Sequence, residues 1–182
     1  IMWVLFNRKR YADGTLAMRK AVERTLHDYR SCDAYTVLCD SYKSETEARL
    51  GLDPSKSHIY VIENPERPLP DVNLNKEKIF LFCGRFENWS KRIDRLLRIW
   101  GMLQDRLPDW RLVLVGDGPD GRMLRQMAAD IGLKRVSFEG MRSDTSGYYR
   151  QASVVCLVSE TEGWPLALTE GQAQGCIGIG FG

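Results

Sequence analysis

The chain has 182 residues, 43% of them hydrophobic, with 26 Lys and Arg against 24 Asp and Glu and a formal net charge of +2. That length allows one large domain or parts of two, and the near-balanced charge argues against nucleic acid or an anionic membrane surface as the main partner. The five cysteines (Cys32, Cys39, Cys83, Cys156, Cys176) form no C-x-x-C, and four sit in or beside apolar runs. They read as small buried hydrophobes in a reducing compartment. With no run of transmembrane length and no secretory signal pattern, the expected location is cytoplasmic.

In chain order, apolar runs at 2–6, 34–39, 58–63, 79–84, 112–116, 136–139, 154–159 and 176–181 read as strands. Several are rich in Val, Ile and Phe with little polar interruption, as suits strands buried on both faces. Helical stripes lie between them. Met18, Val22, Leu26 and Tyr29 form the first. Ile93, Leu96, Leu97, Trp100, Leu103 and Leu107 form a second across 91–107, with Arg92, Arg95 and Arg98 on a solvated face. Met123, Leu124, Met127, Ala128 and Ile131 form a third, closed by Gly132. Such alternation implies an α/β fold with a doubly wound parallel sheet, whose ligands bind beyond the carboxyl ends of the strands.

The segment ENPERPLPDVNLNKEK breaks this rhythm with Pro65, Pro68 and Pro70. Proline fixes φ and removes donors, so a stiff linker over 65–76 is expected between residues 1–64 and 77–182. The chain begins at Ile1 inside an apolar run and ends on the strand-like CIGIGFG, which reads as a fragment of a longer protein.

Two loops compete for the chemistry. VLVGDGPDG (113–121) carries G-x-G-x-x-G after a strand, and Glu139 follows at the end of the next strand. That layout matches a dinucleotide fingerprint for NAD, a weak signal when it stands alone. Here it occurs in the second strand–helix unit and leaves SETEGWPLALTEG (159–171) unexplained. In the latter, Glu162 and Gly163 form a turn, Pro165 is placed at the first helical position, Leu166 begins the helix, and Glu170 lies in its second turn. The amides of Gly163, Trp164 and Leu166 are then at a helix N-terminus, which attracts phosphate. Flanking carboxylates accept hydrogen bonds from sugar hydroxyls.

Taken together, E-G-W-P-L-x-L-x-E after a buried strand resembles the E-x7-E motif of retaining GT-B glycosyltransferases, the group 1 or family 4 class. IYVIENP, FCGRFENWSKRIDRLL, WRLVLVGDGP, VSFEGMRSD and YYRQASVVCLVSE resemble other segments of that family in the same order, covering nearly all of 33–182. The resemblance implies a Rossmann-like sheet in a two-lobed enzyme of polysaccharide biosynthesis. Residues 1–64 are then the end of the acceptor-side lobe, and 77–182 a C-terminally truncated donor-binding lobe.

It also implies roles. Arg85 and Lys91 resemble the basic pair on the donor diphosphate; with Glu162, near the donor sugar, they are the candidate catalytic residues. Glu170 resembles the carboxylate that holds ribose. Gly84, Gly140, Met141, Gly163, Trp164, Pro165 and Leu166 complete the donor site. The donor is a UDP-sugar or GDP-sugar and the acceptor a glycan or lipid-linked sugar, with no other cofactor, no metal and no nucleic acid. Peripheral association with the inner face of the membrane is a further expectation for the whole protein. The 182-residue piece alone is expected to bind donor without transferring sugar. A non-catalytic nucleotide-sugar-binding module, a sugar-nucleotide epimerase and an NAD oxidoreductase are the alternatives. Taken singly, Arg85 also reads as an ion-pair partner of Glu87, Lys91 as a surface charge, Glu162 as a turn acid and Glu170 as a solvated helix residue. Gly171, where the family has Ala, implies either a loose helix or another element packed close. Glu160 has no assigned role.

Overall fold

A computed structural model gives the fold. It describes residues 16–64, 72, 74–160, 162 and 164–181, so the strand expected at 2–6, most of the linker, the Met18 side chain and Gly163 lie outside the described residues. The chain divides into two compact units at Pro65/Glu66.

In the first unit, α1 (Leu16–Arg30) and α2 (Asp40–Leu50) accompany a parallel pair of short strands, β1 (Tyr35–Val37) and β2 (Ile59–Val61). Tyr29, Tyr35, Val37, Leu50 and Ile59 form its core. His58 stacks on Tyr29 with ring centroids 3.9 Å apart, and its Nε2 lies 3.0 Å from the Tyr29 carbonyl. His27 is exposed on α1.

The second unit is a five-stranded parallel sheet of β3 (Glu77–Cys83), β4 (Arg111–Val115), β5 (Val136–Gly140), β6 (Ala152–Leu157) and β7 (Ile177–Gly180). The spatial order is β5-β4-β3-β6-β7. The winding reverses between β3 and β6, and open α/β sheets bind ligands outside the strand ends at that switch point. The helices are α3 (Asn88–Lys91), α4 (Ile93–Leu103), α5 (Gly121–Ile131), α6 (Ser146–Gln151) and α7 (Leu166–Ala173).

Strand alternation sorts the apolar side chains onto two faces. Phe82, Leu112, Leu114, Val154 and Cys156 pack with Leu96, Leu97 and Trp100 of α4 and Leu124 of α5. Ile79, Leu81, Cys83, Val113 and Val155 pack with Tyr149 of α6, with Leu168 of α7 against them. Burial holds the Cys83 and Cys156 thiols up at about 12, so both are neutral core groups. Cys32 and Cys39 are only partly buried. Met123 and Ile131 face out, which narrows the expected core stripe of α5.

The helix expected across 91–107 is two helices. Arg92 takes left-handed dihedrals (φ 48, ψ 43), which ends α3 and starts α4 at a new angle. Asn88 Oδ1 then accepts from the Asp94 amide at 2.9 Å, capping α4 from outside it.

Gly171 has a packing reason. A Cβ there would lie 2.6 Å from Val155 Cγ1, so α7 sits directly on β6. Lys76 fastens the far ends of two helices, donating to the carbonyls of Tyr149 (3.0 Å), Arg150 (2.9 Å) and Gln174 (2.5 Å).

Candidate functional site

The loops beyond β3, β4, β5 and β6 build the site. After β3 the chain runs through Gly84 and Arg85 into α3, and it is tied to the glycine loop after β4. Gly84 N donates to Val115 O (3.0 Å), Phe86 N to Asp117 O (2.9 Å) and Asp120 N to Phe86 O (3.1 Å). Gly116 has φ 138, and a Cβ there would lie 1.9 Å from the Gly84 carbonyl oxygen. A Cβ on Gly118 would lie 2.6 Å from the Phe86 carbonyl oxygen. Both glycines are therefore needed so that two backbone segments can touch. The acid of the NAD reading, Glu139, faces Arg142 at 3.7 Å and the Tyr148 hydroxyl at 3.4 Å.

A cleft of about 690 Å³ opens at these strand ends, lined by Gly84, Arg85, Gly116, Asp117, Met141 and Arg142 among others. Arg85 is exposed and forms no ion pair with a described residue; Glu87 meets it only through the backbone, its N–H on Arg85 O at 2.9 Å. Met141 is exposed, while Gly140 (φ 73) gives its carbonyl to the Gly116 amide at 2.9 Å. Asp117, Arg142 and Thr145 line the same cleft and escaped sequence reasoning. The signal for Arg142 was its place two residues beyond Gly140, in a segment already singled out.

At the switch point, Lys91 at the end of α3 meets Glu162 in the loop after β6, Nζ to Oε1 at 2.6 Å. The two side chains are 26% and 22% exposed, sheltered but open to a ligand. Lys91 is thus no isolated surface charge, and Glu162 no isolated turn acid. An ammonium carries three donors, so Lys91 can hold this carboxylate and a phosphate oxygen together.

The head of α7 differs in detail from the expectation. Pro165 is the N-cap residue and Leu166 the first helical one. The Leu166 amide donates to the Trp164 carbonyl at 2.9 Å, so that N–H is engaged. The Trp164 indole N–H and the Ser159 hydroxyl are buried with no hydrogen-bond partner among the described residues. Glu170 is exposed on α7, near enough to the buried Tyr149 phenol and the Cys83 thiol for its charge to act on both. Burial first, then Cys83 and Glu170, raise the Tyr149 pKa, so this phenol stays a donor.

Lys91 and Glu162 thus meet across the switch point, and the cleft that Arg85 lines opens at the ends of β3, β4 and β5. Arg92 and Arg95 do not form a solvated face: they pair with Asp94 and with Glu160, while Arg98 is exposed. No helix among the described residues is long and apolar enough to cross a membrane.

Comparison with known proteins agrees with this fold. Residues 77–181 match the family described as glycosyl transferases group 1. An uncharacterized glycosyltransferase of Haemophilus influenzae is 34% identical over 164 residues, covering 87% of this chain and 45% of that protein. Among solved structures, a Staphylococcus aureus TarM mutant in complex with fondaparinux, α-GlcNAc-glycerol and UDP superposes with a TM-score of 0.79 at 18% identity. The pneumococcal O-GlcNAc transferase GtfA in complex with UDP and GlcNAc gives 0.78 at 19%. Each superposition covers 89% of this chain and 32% of the other. The chain therefore spans less than half the length of these relatives, and its fold is that of the GT-B glycosyltransferases. The family match over residues 77–181, more than half of the chain and all five strands of the second sheet, identifies the chain as a member of the group 1 glycosyl transferases.

Proposed function

We propose that the whole protein is a retaining glycosyltransferase of the E-x7-E kind, family 4. It moves a hexose-type sugar from a UDP-sugar or GDP-sugar to a glycan or lipid-linked acceptor. The observation that carries the reading is the Lys91–Glu162 contact at 2.6 Å on the switch point, with Glu170 further along on the next helix. The two solved complexes with UDP favour a uridine donor.

In this reading the diphosphate lies across the ends of β3 and β6. Arg85 and Lys91 take up the negative charge that grows on it as the bond from the anomeric carbon to the phosphate oxygen breaks. Stabilisation of developing charge by preplaced groups is the largest common source of rate. Two cations supply it without a metal ion. Glu162 accepts hydrogen bonds from the donor sugar, and Glu170 from the ribose hydroxyls. Gly84, Gly140, Met141 and Trp164 line the nucleotide's path. Pro165 and Leu166 lie at the head of α7 beside the phosphates, and the motif assigns Gly163 to the same donor site. The acceptor hydroxyl attacks on the face from which the diphosphate departs, so the anomeric configuration is kept. The acceptor is held by the first lobe, so the 182 residues alone bind donor without completing transfer. The reaction takes place in the cytoplasm, at the inner membrane face when the acceptor is lipid-linked.

The anomeric configuration of the product tests this. With an α-configured nucleotide sugar and the whole protein, proton NMR of the first-formed product is expected to show an α linkage. A β linkage would refute the retaining assignment.

A further inference from the structure

Glu160 stands two residues before Glu162, and the function above gives it no part. Its carboxylate Oε2 lies 2.7 Å from Arg95 Nη2 and 3.5 Å from Arg92 Nη1. Its backbone N–H donates to the Ser90 carbonyl at 2.7 Å. Ser90 and Arg92 are the two neighbours of Lys91 in the chain. A single residue of the β6 loop thus holds both flanks of Lys91, by main chain on one side and side chain on the other.

The turn it holds is under strain. Arg92 has φ 48, a left-handed conformation that an L-residue adopts only when its surroundings hold it there. Its guanidinium is fixed by Asp94, Nε to Oδ1 at 3.1 Å and Nη2 to Oδ2 at 3.2 Å. The start of the same turn is anchored elsewhere, with Asn88 N donating to Asp120 Oδ2 at 2.7 Å. Arg92, Arg95, Asp94 and Glu160 together balance two positive charges with two negative ones.

We infer that Glu160 is a positioning residue: by clasping Arg92 and Arg95 it sets the Lys91 turn in register with Glu162 and keeps both arginines away from the donor site. The inference rests on the glycosyltransferase reading of Lys91 and Glu162. Replacing Glu160 by Gln keeps the backbone bond to Ser90 and the side-chain shape but leaves the quartet with an uncompensated positive charge. Arg95 and Arg92 then compete with Lys91 for Glu162 and for the diphosphate. Glu170 and the cleft are untouched, so transfer suffers more than nucleotide binding does.

The test uses the whole protein and its preferred nucleotide sugar, with kcat, donor KM and the Kd for the nucleoside diphosphate measured for each variant. Misplacing a positioned group by about 1 Å costs up to about a hundredfold, so a smaller shift in E160Q is expected to lose about tenfold in kcat while the Kd stays within about threefold. Adding R95Q to E160Q removes the loose charge and is expected to recover a substantial part of that loss; a merely structural role for Glu160 would make the double variant worse. E160Q with wild-type kcat overturns the inference, and so does a double variant that loses further. If the wild-type protein transfers from no nucleoside-diphosphate sugar, the functional reading fails and this role fails with it. If the wild type transfers normally and E160Q matches it, only the positioning role is refuted.

Discussion

Gly171 offers a quantitative test of how α7, and Glu170 with it, is seated on the sheet. In an ordinary helix interior, Gly→Ala stabilises by about 1 kcal/mol. Here the new methyl would lie 2.6 Å from Val155 Cγ1 and 3.0 Å from Val155 Cβ. Val155 is fully buried on β6, between Leu81 of β3 and Gly178 of β7, and cannot step aside. Overpacking of that kind costs about 1–3 kcal/mol, so the net effect of G171A is a destabilisation of roughly 0–2 kcal/mol. V155A alone removes two methyl-sized groups from a closed site and costs roughly 2–3 kcal/mol. In the double variant the methyl added at position 171 enters the space that the valine side chain leaves. The two changes should therefore couple favourably, by about 1–2 kcal/mol. Urea denaturation of the four proteins gives the cycle, and nucleotide affinity reads the shift of Glu170 at the same time. Additivity within about 0.5 kcal/mol, or a G171A variant stabilised by the full propensity gain, would refute the claim that α7 is pinned on β6.

Other expectations concern separate parts of the molecule. K76M removes a charged donor from three carbonyls at the ends of α6 and α7 and should lower stability by about 2 kcal/mol, read as a shift in urea midpoint; an unchanged midpoint would show that water replaces the lysine without cost. Asp94 has its pKa held down, chiefly by the hydrogen bond from Arg92, so its stabilising contribution is present above about pH 4 and is lost as pH falls through its lowered folded value. The stability gap between wild type and D94N should then narrow from pH 7 to pH 3; a gap that stays constant or widens would contradict this. If Arg85 and Lys91 neutralise the leaving diphosphate, the whole protein should keep its transfer rate after EDTA treatment, and a loss restored by a divalent cation would overturn that part of the mechanism.

The α/β class was legible because its signal is periodic. The unbroken Val, Ile and Phe runs at 79–84, 112–116 and 154–159 became the central strands, and the 3.6-residue stripe of 93–103 became the buried face of α4. What misled was chemistry that depends on non-local neighbours. G-x-G-x-x-G at 116–121 looked like a dinucleotide grip, whereas Gly116 and Gly118 serve the close approach of the Gly84–Phe86 backbone, in the loop after the preceding strand. The break at Arg92 was invisible because a left-handed arginine is held there by Asp94 and Glu160, one of them on a distant loop. Glu160 gave no signal for the same reason. Gly171 did raise the right question, a loose helix or a close neighbour, and Val155 answers it. Tyr149 carried no sequence signal, since its nearness to Glu170 arises only when α6 and α7 pack together.

We propose that a nucleoside diphosphate binds at the β3–β6 switch point with its ribose on Glu170. Calorimetric titration of the protein with UDP, GDP and ADP, with NAD as control, tests it most directly. Saturable binding of UDP or GDP is expected, with no heat from NAD and affinity about tenfold weaker in E170A, in line with the loss of hydrogen bonds to a charged acceptor. E162A should retain nucleotide affinity and lose sugar transfer. No heat with any nucleoside diphosphate, or E170A binding as wild type does, would refute a nucleotide site with its ribose on Glu170.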